Sequence, residues 1–223
     1  MTYNIRLGLQ QGVDAVARVV KEHAPDILAL QEVGRHWIMG PPGDTTAQLA
    51  EMVGLPHYQY VTTIHEEDDA RYGHALLARW PIEARDIFRF SQDIDEPRAA
   101  LIAQVDRDDG PLTVVSTHLS HRDAERQMHG TELVELVAGV LSPTQPTLLM
   151  GDLNEDDAEW LGALEDKMES AGGRAGECTY PNPDPCVRID YIMAHGGRFT
   201  AARVVDDKTT SDHRPVVAEV AFD

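Results

Sequence analysis

Apolar positions recur along the chain with two different periods, and their alternation predicts a mixed α/β protein. Met1 to Ile5 reads as a short strand. Val13, Val16, Ala17 and Val20 then fall at helical spacing, and Pro25 enforces a stop. Ile27 to Leu30 is a short continuous apolar run, the mark of a buried strand, and its end delivers Gln31 and Glu32. Leu49 and Met52 define the face of a second helix, with Asp44 or Thr45 as its cap and Gly54 as its terminator.

The middle of the chain predicts strands at Tyr58 to Thr63, His74 to Ala78, Ile82 to Phe90, Ala99 to Val105 and Leu112 to Thr117. Asp108-Asp109-Gly110 is a strong turn signal between the last two, which should form a hairpin. A long helix is expected from about Arg122 to Val140, with Leu133, Leu136, Val137 and Val140 on one face. A strand at Thr147 to Met150 and a helix from about Ala158 to Met168 follow. Strands at Ile189 to Ala194, Phe199 to Val205 and Pro215 to Ala221 close the pattern. Hairpins mixed with crossovers imply two packed sheets flanked by helices. With no repeat, low-complexity tract or linker in 223 residues, a single domain spanning 1–223 is expected. The first strand starts at the first residues, so its edge is expected to be frayed or to lack an upstream segment.

Several of these apolar runs stop at acids, amides or histidines. Asn4 sits in the first strand, Glu32 ends the second, and His118 follows Val114-Val115-Ser116-Thr117. Asp152 and Asn154 follow Leu148-Leu149-Met150-Gly151, Asp190 starts Ile189 to Ile192, and Asp212 and His213 precede the final strand. One such residue is ordinarily a cap or a satisfied polar group. Several together point to a site, because buried acids need partners and a divalent cation is a common one.

Six segments carry a resemblance. In order, Thr2-Tyr3-Asn4, Leu30-Gln31-Glu32-Val33, Ser116-Thr117-His118-Leu119, Gly151-Asp152-Leu153-Asn154, Arg188-Ile189-Asp190-Tyr191 and Ser211-Asp212-His213-Arg214-Pro215 resemble the motifs of the endonuclease/exonuclease/phosphatase superfamily, the deoxyribonuclease I-like enzymes. Arg71 to Arg79 resembles that family's glycine-led strand, although many relatives carry Asn where this chain has His74. The resemblance implies a four-layer α/β/β/α sandwich and a hydrolase that cleaves a phosphate ester by attack of an activated water. It makes Glu32 the main metal ligand, with Asn4 and Asp212 as direct or water-mediated ligands of Mg²⁺ or Mn²⁺. Asp190 should pair with His213, which either accepts the water's proton or stabilises the phosphorane by charge. Asp152 would orient or deprotonate the water, and Asn154 would donate to a phosphate oxygen. His118 would stabilise charge or protonate the leaving oxygen. Arg98 either reaches the phosphate or is an ordinary strand-entry arginine. His57, His65, His121 and His129 are assigned to surface or loop positions, and Glu66-Glu67-Asp68-Asp69 to a solvated loop.

Charge narrows the substrate. Asp and Glu number 38 against 19 Lys and Arg, a net charge of −19, which disfavours a broad grip on long nucleic acid. A small molecule, a lipid head group or a short nucleic acid is the expected phosphate-ester partner of a monomeric enzyme. A DNA or RNA nuclease of the same family is the first alternative, and a non-catalytic binding module on the same fold the second. The two cysteines, Cys178 and Cys186, read as free thiols, with a small disulfide or half a metal site as alternatives. No apolar run is long enough to cross a bilayer, and the N-terminus lacks the pattern of an export signal, so a cytoplasmic location is expected unless a signal has been removed.

Overall fold

The structure, a computed structural model, describes residues 1–92, 95–173 and 176–222. The α-helices in these segments are α1 (Val13–His23), α2 (Thr45–Val53), α3 (Asp123–Val140) and α4 (Glu159–Glu165). The strands are β1 (Thr2–Asn4), β2 (Ile27–Arg35), β3 (His57–His65), β4 (Arg71–Ala78), β5 (Ile82–Arg89), β6 (Ala99–Arg107), β7 (Gly110–His118), β8 (Thr147–Asp152), β9 (Glu169–Ser170), β10 (Asp190–His195), β11 (Gly197–Val204) and β12 (Val216–Phe222).

They form two six-stranded sheets, ordered β11-β12-β1-β2-β4-β3 and β5-β6-β7-β8-β10-β9. Each contains one parallel pair, β1 with β2 and β7 with β8, at its centre. Within the central pairs, β2 and β8 are buried on both faces and read as continuous apolar runs over Ile27 to Leu30 and Leu148 to Met150, whereas the edge strand β5 is exposed along most of its length. Leu76, Leu101, Val114, Met150 and Ile192 fill the space between the sheets. The outer face of the first sheet is covered by α1 and α2 through Val16, Val20 and Leu49. That of the second is covered by α3 and α4 through Leu133, Val137, Trp160 and Leu164. The result is the α/β/β/α sandwich that the sequence led us to expect.

Local signals account for most boundaries. Asp44 accepts the Ala47 N–H at 3.0 Å at the start of α2, and Gly54 ends it in the left-handed conformation. Asp108-Asp109 turns the β6–β7 hairpin, with Arg107 paired to Gly110. Other expectations need correction. The first strand is not frayed, because β1 lies between β2 and β12, and Ala29 N–H donates to Met1 O at 2.9 Å. The last helix ends at Glu165, and the chain then turns through Lys167 and Met168 into the short strand β9, which was not foreseen. His129 is buried in α3, where Nδ1 accepts from Ser120 N–H at 3.3 Å and Nε2 lies 2.7 Å from Ser91 O. Its polar atoms are satisfied locally, which is what lets a histidine leave the surface. Cys178 and Cys186 are free thiols. No helix among the described residues is long and apolar enough to cross a membrane.

Candidate active site

Strand register assembles the polar residues. Asp152 ends β8 and is the Cα partner of His118 on β7 and of Asp190 on β10, so the three residues share one rung of the second sheet. Gly151, one residue earlier, sits so close to β7 that a Cβ there would lie 2.1 Å from Thr117 O. Only glycine lets β8 approach its neighbour closely enough to set that rung. The first sheet contributes Asn4 at the end of β1, opposite Gln31. Next along β2 the register breaks between Leu30 and Val33, and Glu32 takes a left-handed backbone with φ of 54°. That conformation is costly for a residue with a Cβ and is often kept at functional sites.

The side chains meet around the carboxylate of Asp152. Asn4 Nδ2 donates to Asp152 Oδ2 at 2.9 Å and to Glu32 Oε1 at 3.1 Å, bridging the two sheets. His118 Nε2 lies 3.5 Å and His213 Nε2 3.7 Å from the same Asp152 oxygen. His213 Nδ1 is 2.9 Å from Asp190 Oδ2, and its ring lies 4.7 Å from that of Tyr180, centroid to centroid. Asp152 Oδ1 accepts the Asn154 N–H at 2.9 Å, with Asn154 also left-handed at φ of 53°. Ser211 ties the loop before β12 to β1, its hydroxyl donating to Asn4 O at 2.8 Å. Glu32 and His213 therefore sit on one continuous network.

Burial and charge act together here. Burial raises the carboxyl of Asp152 above its usual range, and the neighbouring charge of Asp190 adds to the effect. Burial opposes the charged form of His213, yet Asp190 and Asp152 outweigh it and hold that imidazole well above its ordinary value. His118 is driven the other way, by burial first and then by the positive charge of Arg98. The same cluster thus holds a histidine that favours its cationic form and one that resists it.

Glu32, Asp212 and Asn4 carry the carboxylate and amide oxygens that suit a hard divalent cation. Asp190 Oδ1 is buried without a hydrogen-bond partner, an atom with unused acceptor capacity. Asp152, Asp190 and His213 offer ligand atoms within 4.8 Å of one another. There, however, His213 already bonds Asp190 and faces Asp152, so the three read better as an imidazole–carboxylate couple than as a cation cage.

Other residues take positions that sequence alone did not specify. Arg98 is buried, with Nη1 2.6 Å from His118 Nδ1 and Nη2 paired with Glu96. Asn154 Nδ2 donates to Leu119 O at 3.0 Å. Asn4 turns its amide nitrogen, not its oxygen, toward the carboxylates, and its Oδ1 accepts from Arg6 N–H at 3.1 Å. Asp212 pairs with Arg6 at 3.4 Å. Glu96 and Tyr180 were not singled out, and Ser211 was quoted only as the first residue of the last motif. The nearest signal for Glu96 was an acid two residues before Arg98, and Tyr180 had none.

The sequence profile of the Endonuclease/Exonuclease/phosphatase family matches residues 1–213. The uncharacterized protein YbhP of Escherichia coli (strain K12) is 27% identical over 98% of this chain and 90% of its own. Among solved structures, an endonuclease/exonuclease/phosphatase from Beutenbergia cavernae is similar with a TM-score of 0.81 at 24% identity, covering 99% of this chain and 70% of that one. The mannosyl-6-phosphatase Bt3783 of Bacteroides thetaiotaomicron is similar with a TM-score of 0.77 at 20% identity, covering 99% and 98%. Truncated TDP2 of Caenorhabditis elegans superposes with a TM-score of 0.71 at 19% identity, covering 96% and 93%. At these identities the structural likeness concerns the fold.

Proposed function

The chain belongs to the endonuclease/exonuclease/phosphatase family, and from that premise we propose that it is a divalent-metal-dependent hydrolase of a compact phosphate ester. The observation that carries this reading is the convergence on one buried oxygen, Asp152 Oδ2, of Asn4 from the first sheet, His118 from the second and His213 from the loop before β12. A carboxylate so surrounded can receive a proton while cationic and neutral donors face the same small space.

In the proposed reaction Asp152 orients water and takes its proton as the water oxygen bonds to phosphorus. The ester P–O bond breaks, and the departing oxygen takes a proton from solvent. His213 works as a cation rather than as the base. Its Nδ1 engages Asp190 while Nε2 faces a second carboxylate, an arrangement that suits a ring protonated on both nitrogens. Negative charge that builds on the phosphoryl oxygens meets His213 and the N–H of His118. Glu32, Asn4 and Asp212 are the residues we assign to hold Mg²⁺ or Mn²⁺, which when bound supplies positive charge that polarises the phosphate. Asn4 would have to turn its amide to present oxygen, and otherwise serves as the tie between sheets.

The strong acidity of the chain supports a small substrate over a long nucleic acid. The test is a side-by-side assay on a sugar phosphate, bis-p-nitrophenyl phosphate, a phospholipid head-group ester, a single-stranded oligonucleotide and plasmid DNA, each with Mg²⁺ or Mn²⁺ and with EDTA. We expect metal-restored hydrolysis of a small ester that is abolished by chelator. Full activity in EDTA would contradict the metal role, faster cleavage of plasmid or oligonucleotide would favour the nuclease, and no hydrolysis of any substrate would favour a binding module.

A further inference from the structure

We propose that Arg98 is a positioning residue that locks His118 as the neutral tautomer protonated on Nε2, so that His118 serves the reaction as a hydrogen-bond donor and not as a proton donor to the leaving oxygen. The inference rests on the phosphate-ester hydrolase reading above and assigns Arg98 a task other than holding the phosphate.

The argument is one of hydrogen-bond chemistry. A guanidinium carries only N–H donors and no acceptor, and it remains charged at any working pH. Arg98 Nη1 lies 2.6 Å from His118 Nδ1, so that nitrogen must offer its lone pair and the single ring proton of neutral imidazole must reside on Nε2. Protonating Nδ1 would set one N–H against another across that short gap, beside a fixed positive charge. Nε2 in turn faces the Asp152 carboxylate at 3.5 Å, the sense expected of an N–H directed at an acceptor.

Each terminal nitrogen of Arg98 already has a partner. Its side chain is 4% exposed, and its second terminal nitrogen pairs with Glu96, a carboxylate that is 27% exposed and closes the outer end of the row. Moving either terminal nitrogen onto a bound phosphate would break one of these contacts. Strand register keeps the row in place, because Ala99 is the Cα partner of His118 and Arg98 is the residue just before it. The sequence Glu96-Pro97-Arg98-Ala99 thus builds a relay from the rim, through Arg98 and His118, to Asp152. Burial and the charge of Arg98 push His118 strongly toward its neutral form, in the same direction as the geometry. A neutral imidazole N–H is an effective electrophilic donor when oriented in advance.

The experiment uses the full chain with ¹⁵N-labelled histidine. In the wild-type protein the His118 ring should show an unprotonated Nδ1 and a protonated Nε2, unchanged between about pH 8 and pH 6, a window set by the ordinary imidazole value. Arg98→Met removes the donors and should erase that signature, with kcat falling about tenfold to a hundredfold and KM nearly unchanged. Arg98→Lys, which retains an N–H donor, should restore the signature and much of kcat. If Arg98→Met instead raises KM and leaves the His118 signature intact, Arg98 binds phosphate and the proposal is overturned. A wild-type ring protonated on Nδ1 overturns it whether or not any variant folds. A wild-type protein that shows the signature but hydrolyses no phosphate ester would overturn the hydrolase reading, and with it the donor role of His118, for a different reason.

Discussion

The space between the sheets and the floor at their strand tips are equally buried but held by different forces. Leu101 is 1% exposed and Asp152 0%, and β7 and β8 supply residues to both regions. Between the sheets, Leu76, Leu101 and Met150 are held by non-directional exclusion of water, which tolerates small shifts and depends on volume. At the tips each buried polar group depends on a particular partner, Asp190 on His213, His118 on Arg98 and Asp152 on Asn4. Burying charge disfavours folding unless the partners are in place, so the tips hold polarity that the interior must stabilise. Stability and chemistry should therefore separate along the length of single strands.

The largest effect that tests this separation is expected at Asp152. Asp152→Asn should lower kcat by about a thousandfold, equivalent to about 4 kcal/mol, while the thermal midpoint holds or rises because a buried carboxylate beside Asp190 has been neutralised. Steady-state hydrolysis and calorimetry on one preparation decide it, and near-normal turnover would end the assignment. His213→Ala should match the loss of turnover but also destabilise, since it leaves Asp190 buried without its partner. The converse change is Leu101→Ala, expected to cost about 3 kcal/mol of unfolding free energy and to leave kcat intact well below the melting point. A loss of activity equal to that of Asp152→Asn would show that interior and tips are not separable.

A smaller effect sharpens the electrostatic side. His74 is buried in β4, with its imidazole lowered to about 3 by burial and then by Arg98. Below the unfolded value of about 6.5 the unfolded chain binds a proton there that the folded protein refuses. Its effect is absent above that pH, and stability is lost progressively as pH falls toward 3. Other buried groups oppose this, notably Asp152, whose raised carboxyl takes up protons in the folded state. The clean measurement is a difference. The stability of His74→Asn relative to wild type should improve by about 1.4 kcal/mol per pH unit as pH drops below 6.5, read from denaturant unfolding at pH 7 and pH 5. A pH-independent difference would mean that His74 is charged in the fold. Smallest is Asp44→Ala at the start of α2, expected to cost about 1 kcal/mol with no change in turnover, whereas Asp44→Asn keeps most of the cap.

Much of the architecture was legible before any coordinates. Apolar periods located α1 to α3 and most strands, because a buried face demands the same spacing whatever covers it. Asp44, Gly54 and the Asp108-Asp109-Gly110 turn act within a few residues, so their consequences are local. The polar ends of the apolar runs pointed to the cluster for a similar reason, since acids that stop a buried strand must find partners. What escaped was direction. Nothing in the residues around His129 says that Ser91 and Ser120 would satisfy it, and nothing near Arg98 says whether its fork faces a ligand or another side chain.

Period and chemistry, both readable along a single chain, determined the layers of this protein and the residue types at one end of its strands. Only the tertiary structure decided who bonds whom there. The partners of Asp152 come from positions 4, 118 and 213, and a difference of about one ångström in how two sheets pack selects whether an N–H meets an oxygen, a ring nitrogen or nothing. Hydrogen bonds are short and directional where burial is not, so the sequence carries the second plainly and the first only through the finished fold.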